Sequence, residues 1–220
     1  MPLTRLAHMP LFRMLPEAAV QEVASRGAVW RFRKGEVIFR EGQPAEAVWI
    51  VLRGWVALRK CAPHGDPVTI FTMTPKEVFC GISAFEPGNY SATAVAATDA
   101  HLLGVPREVI DSLLTRYPAF AKAVLLTCCQ RIRHMAESIS IAQAPVAERL
   151  AYTLLRLRDS FGRTIPVTHQ ELAGMAGTRW ETSIRTLAVM RRKGWVASAR
   201  GRITLLAPRK LQAVLHNGAA

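Results

Sequence analysis

Two threonine–glutamate pairs at spacing i, i+3, Thr168 with Glu171 and Thr178 with Glu181, stand about ten residues apart. At that spacing these types start helices: the hydroxyl accepts from an unsatisfied N–H of the first turn, and the carboxylate reaches back to the capping residue. Each pair precedes an apolar run, LAGMAG and then SIRTLAVMRRKG, with Gly177 in the turn between them. Beyond Lys193–Gly194, the segment WVASARGRITLL predicts two strands joined by a tight turn at Arg200–Gly201. Helix, turn, helix and β-wing in that order is a layout that presents one helix to the major groove of DNA. Motifs of catalysis are missing: there is no G-x-S-x-G, Walker loop or H-E-x-x-H, and a cysteine with His134 lacks the third partner of a triad. The chain is therefore not expected to be an enzyme. Cys61, Cys80, Cys128 and Cys129 make neither a C-x-x-C pair nor a disulfide framework, so reduced thiols are expected.

The elements that must position this motif follow from charge and periodicity. Of 220 residues half are apolar, enough for a well-buried core, and the net charge is +13. Up to Gln143 there are 16 Lys+Arg against 12 Asp+Glu, and after it 13 against 4, so the last third carries +9. A polyanionic partner is implied for that third. Ahead of the motif, VAERLAYTLLRLRDSFG predicts an amphipathic helix closed by Gly162. Further upstream, after Pro118, apolar residues recur at Ala121, Leu125, Cys128, Ile132, Met135 and Ile139. Alternating steps of four and three make the seam of a two-stranded coiled coil, and they also suit one amphipathic helix lying on its own domain.

From Val29 to about Val105 short apolar runs are broken by Gly, Pro and Asp, the rhythm of a rolled antiparallel sheet, with Gly35, Gly42 and Gly54 at the corners. Before it, LFRMLPEAAVQEVASRG predicts a short helix with Leu15, Ala18, Ala19 and Val23 on its buried face. No apolar run approaches the roughly 18 residues of a spanning helix, and the first residues lack a signal peptide's apolar core. A cytoplasmic protein without membrane attachment is expected.

Two segments resemble the cyclic-AMP receptor protein and fumarate-nitrate reductase regulator (CRP/FNR) family. One is Leu11-Phe12 and Leu15-Pro16, then Arg33 to Phe39, Glu41-Gly42 and Val48 to Gly54, similar to the opening of the family's cyclic-nucleotide-binding barrel. The other is Thr168, Gln170 to Ala173, Gly177, Glu181-Thr182 and Arg185, similar to its helix-turn-helix. The resemblance implies an α+β fold: a double-stranded β-helix or jelly-roll sensor barrel over 1–116, a dimerisation helix over 117–143, and a winged helix-turn-helix over 144–220. It implies a homodimer with Leu125, Cys128, Ile132, Met135 and Ile139 at the interface, double-stranded DNA with pseudo-palindromic TGA-type half-sites, and RNA polymerase as partner, activation being the commoner outcome.

In the family a Glu and an Arg four residues apart reach base edges, and here those positions are Glu181 and Arg185. A carboxylate accepts from cytosine N4 and Arg grips guanine O6 and N7 with two bonds. An i,i+4 surface ion pair is the plainer use of the same two residues. Trp180 stands where a second contacting Arg is frequent and Ile184 where a small residue is; Ile184 either touches a thymine methyl or turns into the core. Thr168, Gln170, Arg179 and Thr182 are the expected phosphate clamps, with His169, Arg200 and Arg202 behind them.

The sensor half departs from the cyclic-AMP-binding members. The Gly-Glu pair that holds the ribose reads Cys80-Gly81, and the Arg-Ser pair that holds the cyclic phosphate reads Tyr90-Ser91. An anionic nucleotide would lose water with no cation to offset it, so cyclic AMP is not the expected signal. The iron–sulfur branch needs cysteines near the N-terminus, and the first is Cys61, so a cluster is not expected either. Phe79-Cys80 and Pro2 are similar to the haem ligands of the CO-sensing branch, although its His is Ile82 here. Asn89 to Ala94 is similar to the nitric-oxide-responsive branch, and the base-contacting positions align with His134-Met135, both able to ligate haem iron. Against haem stands a simpler use: Met135 in the seam, His134 as a polar interface residue and Cys80 as a small buried residue. A thiol-based redox switch at Cys80 or Cys128-Cys129, and a barrel serving as a ligand-binding regulatory module, are the remaining alternatives.

Overall fold

The computed structural model describes residues 6–61, 67–79 and 88–216. It divides the chain into two compact units, Met1–Arg131 and Ile132–Ala220.

In the first unit a 3₁₀ turn, Phe12–Met14, leads into α1, Glu17–Arg26. Among the described residues eight strands follow: β1 Ala28–Phe32, β2 Val37–Phe39, β3 Ala47–Arg53, β4 Val56–Cys61, β5 Pro67–Met73, β6 Val78–Phe79, β7 Thr93–Ala96 and β8 Ala100–Pro106. They pair antiparallel in two four-stranded sheets, β1-β8-β3-β6 and β2-β7-β4-β5, the α+β barrel that the sequence predicts. The run AVWIVL of β3 is apolar up to the exposed Arg53 because both faces of the strand are covered. Trp49 and Val51 point inward with Phe39, Met73, Phe79 and Leu102. Val48 and Ile50 point outward, under Phe12, Val20, Val23 and Leu113.

The buried face of α1 differs from expectation: Ala18 is exposed and Val20 is buried beside Ala19 and Val23, with Leu15 buried just ahead of the helix. Pro16 caps α1, so its first turn starts two residues later than a helix running through Leu15, and the inward stripe rotates with it. Gly54 turns the β3–β4 corner at φ +73°, and a Cβ there would lie 2.2 Å from the Asp99 carbonyl oxygen. Gly54→Ala is therefore expected to lower stability by about 2–4 kcal/mol, read from urea unfolding.

After β8 come α2, Arg107–Arg116, and α3, Pro118–Ile141. Proline suits the first helical position, where its missing N–H is no loss. Phe120 is fully buried and stacks at 6.0 Å on Phe12. Arg131 Nη2 donates to the Val78 carbonyl (2.8 Å), and its guanidinium lies over the Phe71 ring. These contacts fasten the first half of α3 to the barrel. On the same helix Leu125, Ile132, Met135 and Ile139 remain exposed, Ile139 by 71 %, and Cys128 is half-buried.

The second unit holds the end of α3, then α4 Val146–Phe161, β9 Thr164–Ile165, α5 His169–Met175, α6 Trp180–Arg192, β10 Val196–Ala199, β11 Arg202–Leu205 and α7 Pro208–His216. The strands pair as β10-β11-β9. Leu150 and Leu154 of α4, Leu172 of α5, Leu187 of α6, Ile203 of β11 and Leu211 of α7 are buried. Gly162 closes α4 at φ +75°, as predicted.

Candidate nucleic-acid interface

The first expected capping box is present: Glu171 N–H donates to Thr168 Oγ1 (3.2 Å) and Thr168 N–H to Glu171 Oε2 (2.8 Å). Thr168→Ala removes one of the two bonds and is expected to cost about 1 kcal/mol in urea unfolding, with Thr168→Ser close to the parent.

The second box does not form. The N-cap of α6 is Arg179, without a side-chain cap, and Ser183 N–H makes the first helical bond to its carbonyl. Thr178 is spent in the turn: Gly177 takes φ +58° and Thr178 N–H donates to the Ala173 carbonyl (2.9 Å). The helix thus starts one residue later than the Thr–Glu spacing predicts, and Glu181 is released from capping.

That shift sets the presentation of α6. Ser183, Leu187 and Met190 are buried, and Arg179, Trp180, Glu181 and Arg185 are exposed, Trp180 by 51 %. Glu181 and Arg185 share a face at i, i+4, yet no ion pair joins them among the described residues. Thr182 and Ile184 are half-buried at the flanks, so Ile184 neither enters the core fully nor projects freely.

Around α6 the basic and hydroxyl residues fall on neighbouring elements. Thr168, half-buried, caps α5; Gln170 is exposed on its first turn. His169 ring Nε2 lies 3.2 Å from Ser198 Oγ, which ties the start of α5 to strand β10. Arg200 and Arg202 are exposed on either side of Gly201 at the wing tip, where φ is +70°.

Arg149 of α4 was not singled out by sequence, and it braces the motif. Its Nη1 donates to the Gly177 carbonyl (2.7 Å), holding the turn between α5 and α6. Nothing in the local pattern distinguishes Arg149 from the other arginines of α4, because its partner lies 28 residues away.

Two domain profiles match the chain: a cyclic nucleotide-binding domain over residues 29–117 and a Crp-like helix-turn-helix domain over residues 148–214. The cyclic AMP receptor protein of Thermus thermophilus is 31% identical over 196 residues, covering 88% of this chain and 91% of that protein. The chain belongs to the CRP/FNR family. It is a transcription regulator of that family with a DNA-binding helix-turn-helix, and its relatives are regulators rather than enzymes. The CRP-like cAMP-activated global transcriptional regulator of Mycobacterium tuberculosis is 25% identical over 200 residues, 87% of this chain and 89% of that one. FixK2 of Bradyrhizobium japonicum shares the fold at a TM-score of 0.76 and 22% identity, covering 88% of this chain and 98% of that one.

In this CRP/FNR chain, Cys80, Gly81, Ile82 and Pro2, expected around the effector or haem, lie outside the described residues. Tyr90 is buried within the barrel core and stacks on Phe39 with ring centres 3.7 Å apart. Its hydroxyl donates to the Ala47 carbonyl (3.0 Å) and accepts from Trp49 Nε1 (3.1 Å). Ser91 is exposed. A cleft of about 850 Å³ opens beside Tyr90, Trp49, Phe39, Trp30 and Gly104. A Cβ on Gly104 would lie 3.1 Å from the Trp49 ring and 3.4 Å from Trp30 Nε1, so glycine is what lets the two indoles sit there. His134 and Met135 are exposed on α3 and line neither this cleft nor the smaller one of the second unit. Among the described residues no cluster of three or more His, Cys, Asp or Glu could hold a metal ion, and Cys61, Cys128 and Cys129 are free thiols. No helix of the described residues is long and apolar enough to cross a membrane.

Proposed function

We propose that this regulator acts as a homodimer that reads a pseudo-palindrome of two TGA-type half-sites. One observation carries the reading: Glu181 and Arg185 stand exposed and unpaired with each other on the first turns of α6, over a fully buried Ser183 and a buried Leu187. Glu181 accepts from a cytosine N4 amine and Arg185 holds guanine O6 and N7. Thr168, Gln170, Arg179 and Thr182 grip phosphates, with Arg200 and Arg202 of the wing adding charge; these fix register without specifying sequence. His169, tied to Ser198, orients the start of α5. The stripe of exposed Leu125, Ile132, Met135 and Ile139 with half-buried Cys128 pairs with its copy in a second chain, and two-fold symmetry places the two α6 helices one DNA turn apart. Fluorescence anisotropy with palindromic, single-arm and scrambled duplexes tests this. Tight, salt-dependent binding of two chains to the palindrome is expected, and equal affinity for all three duplexes overturns it.

The signal is a ligand other than cyclic AMP. Tyr90 supports this reading: it occupies the position of the phosphate-binding Arg with a neutral ring whose hydroxyl is committed to Ala47 and Trp49. The relatives named for cyclic AMP make the contrary case testable. Calorimetry with cyclic AMP is expected to show no saturable heat, and a cyclic-AMP-dependent gain in DNA affinity would contradict the proposal. Haem carrying NO or CO is tested by an absorption spectrum after expression with haem supply. A Soret band that moves with gas and is lost in His134→Ala assigns haem; a featureless spectrum leaves an organic ligand or thiol oxidation. Occupancy then shifts the population between dimer forms that bind DNA weakly and tightly, which requires the ligand to prefer one of them. With polymerase as partner, the tight form activates transcription.

A further inference from the structure

Residues four apart on a helix share a face, so the first turns of α6 present two neighbouring columns: Glu181 with Arg185, and Trp180 with Ile184. The first column is polar and the second apolar. Ile184 is half-buried, whereas the Trp180 indole is 51 % exposed. Ser183, Leu187 and Met190 supply the buried side of the helix, so Trp180 adds little to the core of its unit. Among the described residues no hydrogen bond reaches its Nε1, no ring packs on it and no cation covers its face. A lone exposed apolar residue is ordinary on a protein surface. What gives this one a use is its place, directly before Glu181 on the helix whose exposed face carries the proposed base-reading pair.

The chemistry of the indole narrows what it can contact on DNA. It carries no charge, so it neutralises no phosphate, and its single N–H cannot match the two acceptors that guanine offers to an arginine. One base edge in the major groove is apolar: the C5 methyl of thymine. A large flat ring covers such a methyl and takes both surfaces out of water, which is what an indole left exposed on the free protein stands to gain. Ile184 is the other apolar side chain of this column, and its half-burial commits it in part to its own domain. Trp180 is therefore the better placed of the two.

We propose that Trp180 is a specificity-determining residue that reads the methyl group of a thymine beside the base pairs taken by Glu181 and Arg185. The inference rests on the reading of α6 as the helix that enters the major groove, and it names a base that this helix selects. A further consequence concerns modified DNA. Cytosine methylated at C5 presents the same methyl at the same place in the groove, so methylation restores part of the contact that unmodified cytosine lacks.

The test is competition anisotropy of the full chain at fixed salt, with the palindromic duplex and with duplexes in which each thymidine is replaced in turn, in both arms, by deoxyuridine, which removes the methyl alone. At one arm position the parent should bind the uracil duplex about tenfold more weakly, since one buried methyl is lost from each arm. Trp180→Ala should bind the thymine and uracil duplexes alike, Trp180→Phe should keep part of the preference and Ile184→Ala should keep it whole; circular dichroism checks that each variant is folded. With cytosine at that position, C5 methylation should strengthen binding by the parent several-fold and leave binding by Trp180→Ala unchanged. Equal affinity of the parent for thymine and uracil at every arm position, with its preference for the palindrome intact, overturns this inference alone. So does a methyl preference that survives in folded Trp180→Ala. A parent that binds palindromic and scrambled duplexes alike overturns the reading of α6, and this inference with it.

Discussion

Arg185→Ala is expected to weaken binding to the palindromic site by roughly 30-fold to 10⁴-fold, because each bidentate Arg–guanine contact is worth about 1–3 kcal/mol and a dimer makes two. The loss should be specific. Duplexes in which the contacted guanine is already replaced should bind the parent and the variant alike, so that discrimination at that base pair disappears. Arg200→Ala, at the exposed wing tip, should instead weaken all duplexes uniformly and make the salt dependence shallower. Competition anisotropy across single-base variants of the half-site separates the two patterns. An Arg185 variant that weakens every sequence equally would place this side chain on phosphate and return base reading to another residue.

Ile132→Asp is the second large effect. Ile132 is 65 % exposed on α3, and Leu125 and Ile139 on the same stripe are exposed too. Burying an Ile side chain contributes about 1.5–3 kcal/mol, and a symmetric seam uses it twice. Removing it from both strands therefore loses about 3–6 kcal/mol, to which the desolvation of two facing carboxylates adds. At micromolar concentration the variant should run as a monomer in light-scattering chromatography and fall to single-arm affinity for DNA. Lys122→Asp, exposed but off the stripe, should remain dimeric. A monomeric parent would instead leave the stripe as one helix face awaiting some other cover.

What the sequence reveals and what it hides divides along the range of the interactions. The barrel is legible because its cues are local: glycines at the corners, and runs such as AVWIVL that are apolar on both faces. The helix-turn-helix is legible for the same reason, with Thr168 and Glu171 meeting within one turn. The second Thr–Glu pair shows where local reasoning ends. Its spacing is right, but Thr178 N–H is claimed by the Ala173 carbonyl, and the start of α6 moves to Arg179. Arg149 and Arg131 were invisible because each acts on a carbonyl distant in sequence, Gly177 and Val78. Short β9 and the C-terminal helix α7 escaped because a two-residue strand has no period to read and the nine residues of α7 give little more than two turns of pattern.

Tyr90 illustrates a different limit. The resemblance aligns it with an arginine of the cyclic-AMP-binding members, yet only the structure shows that its hydroxyl joins Trp49 to the Ala47 carbonyl and that its ring stacks on Phe39. Tyr90 is part of the packed aromatic core of the barrel.

The central claim is that two copies of α6 read a two-fold symmetric site through Glu181 and Arg185. Selection of bound sequences from a random duplex pool by the full chain tests it most directly. The account predicts an enriched pseudo-palindrome with TGA-type arms centred about one helical turn apart, and loss of the arm's guanine preference when the selection is repeated with Arg185→Ala. Enrichment of an asymmetric or single-arm motif, or of none, would contradict it.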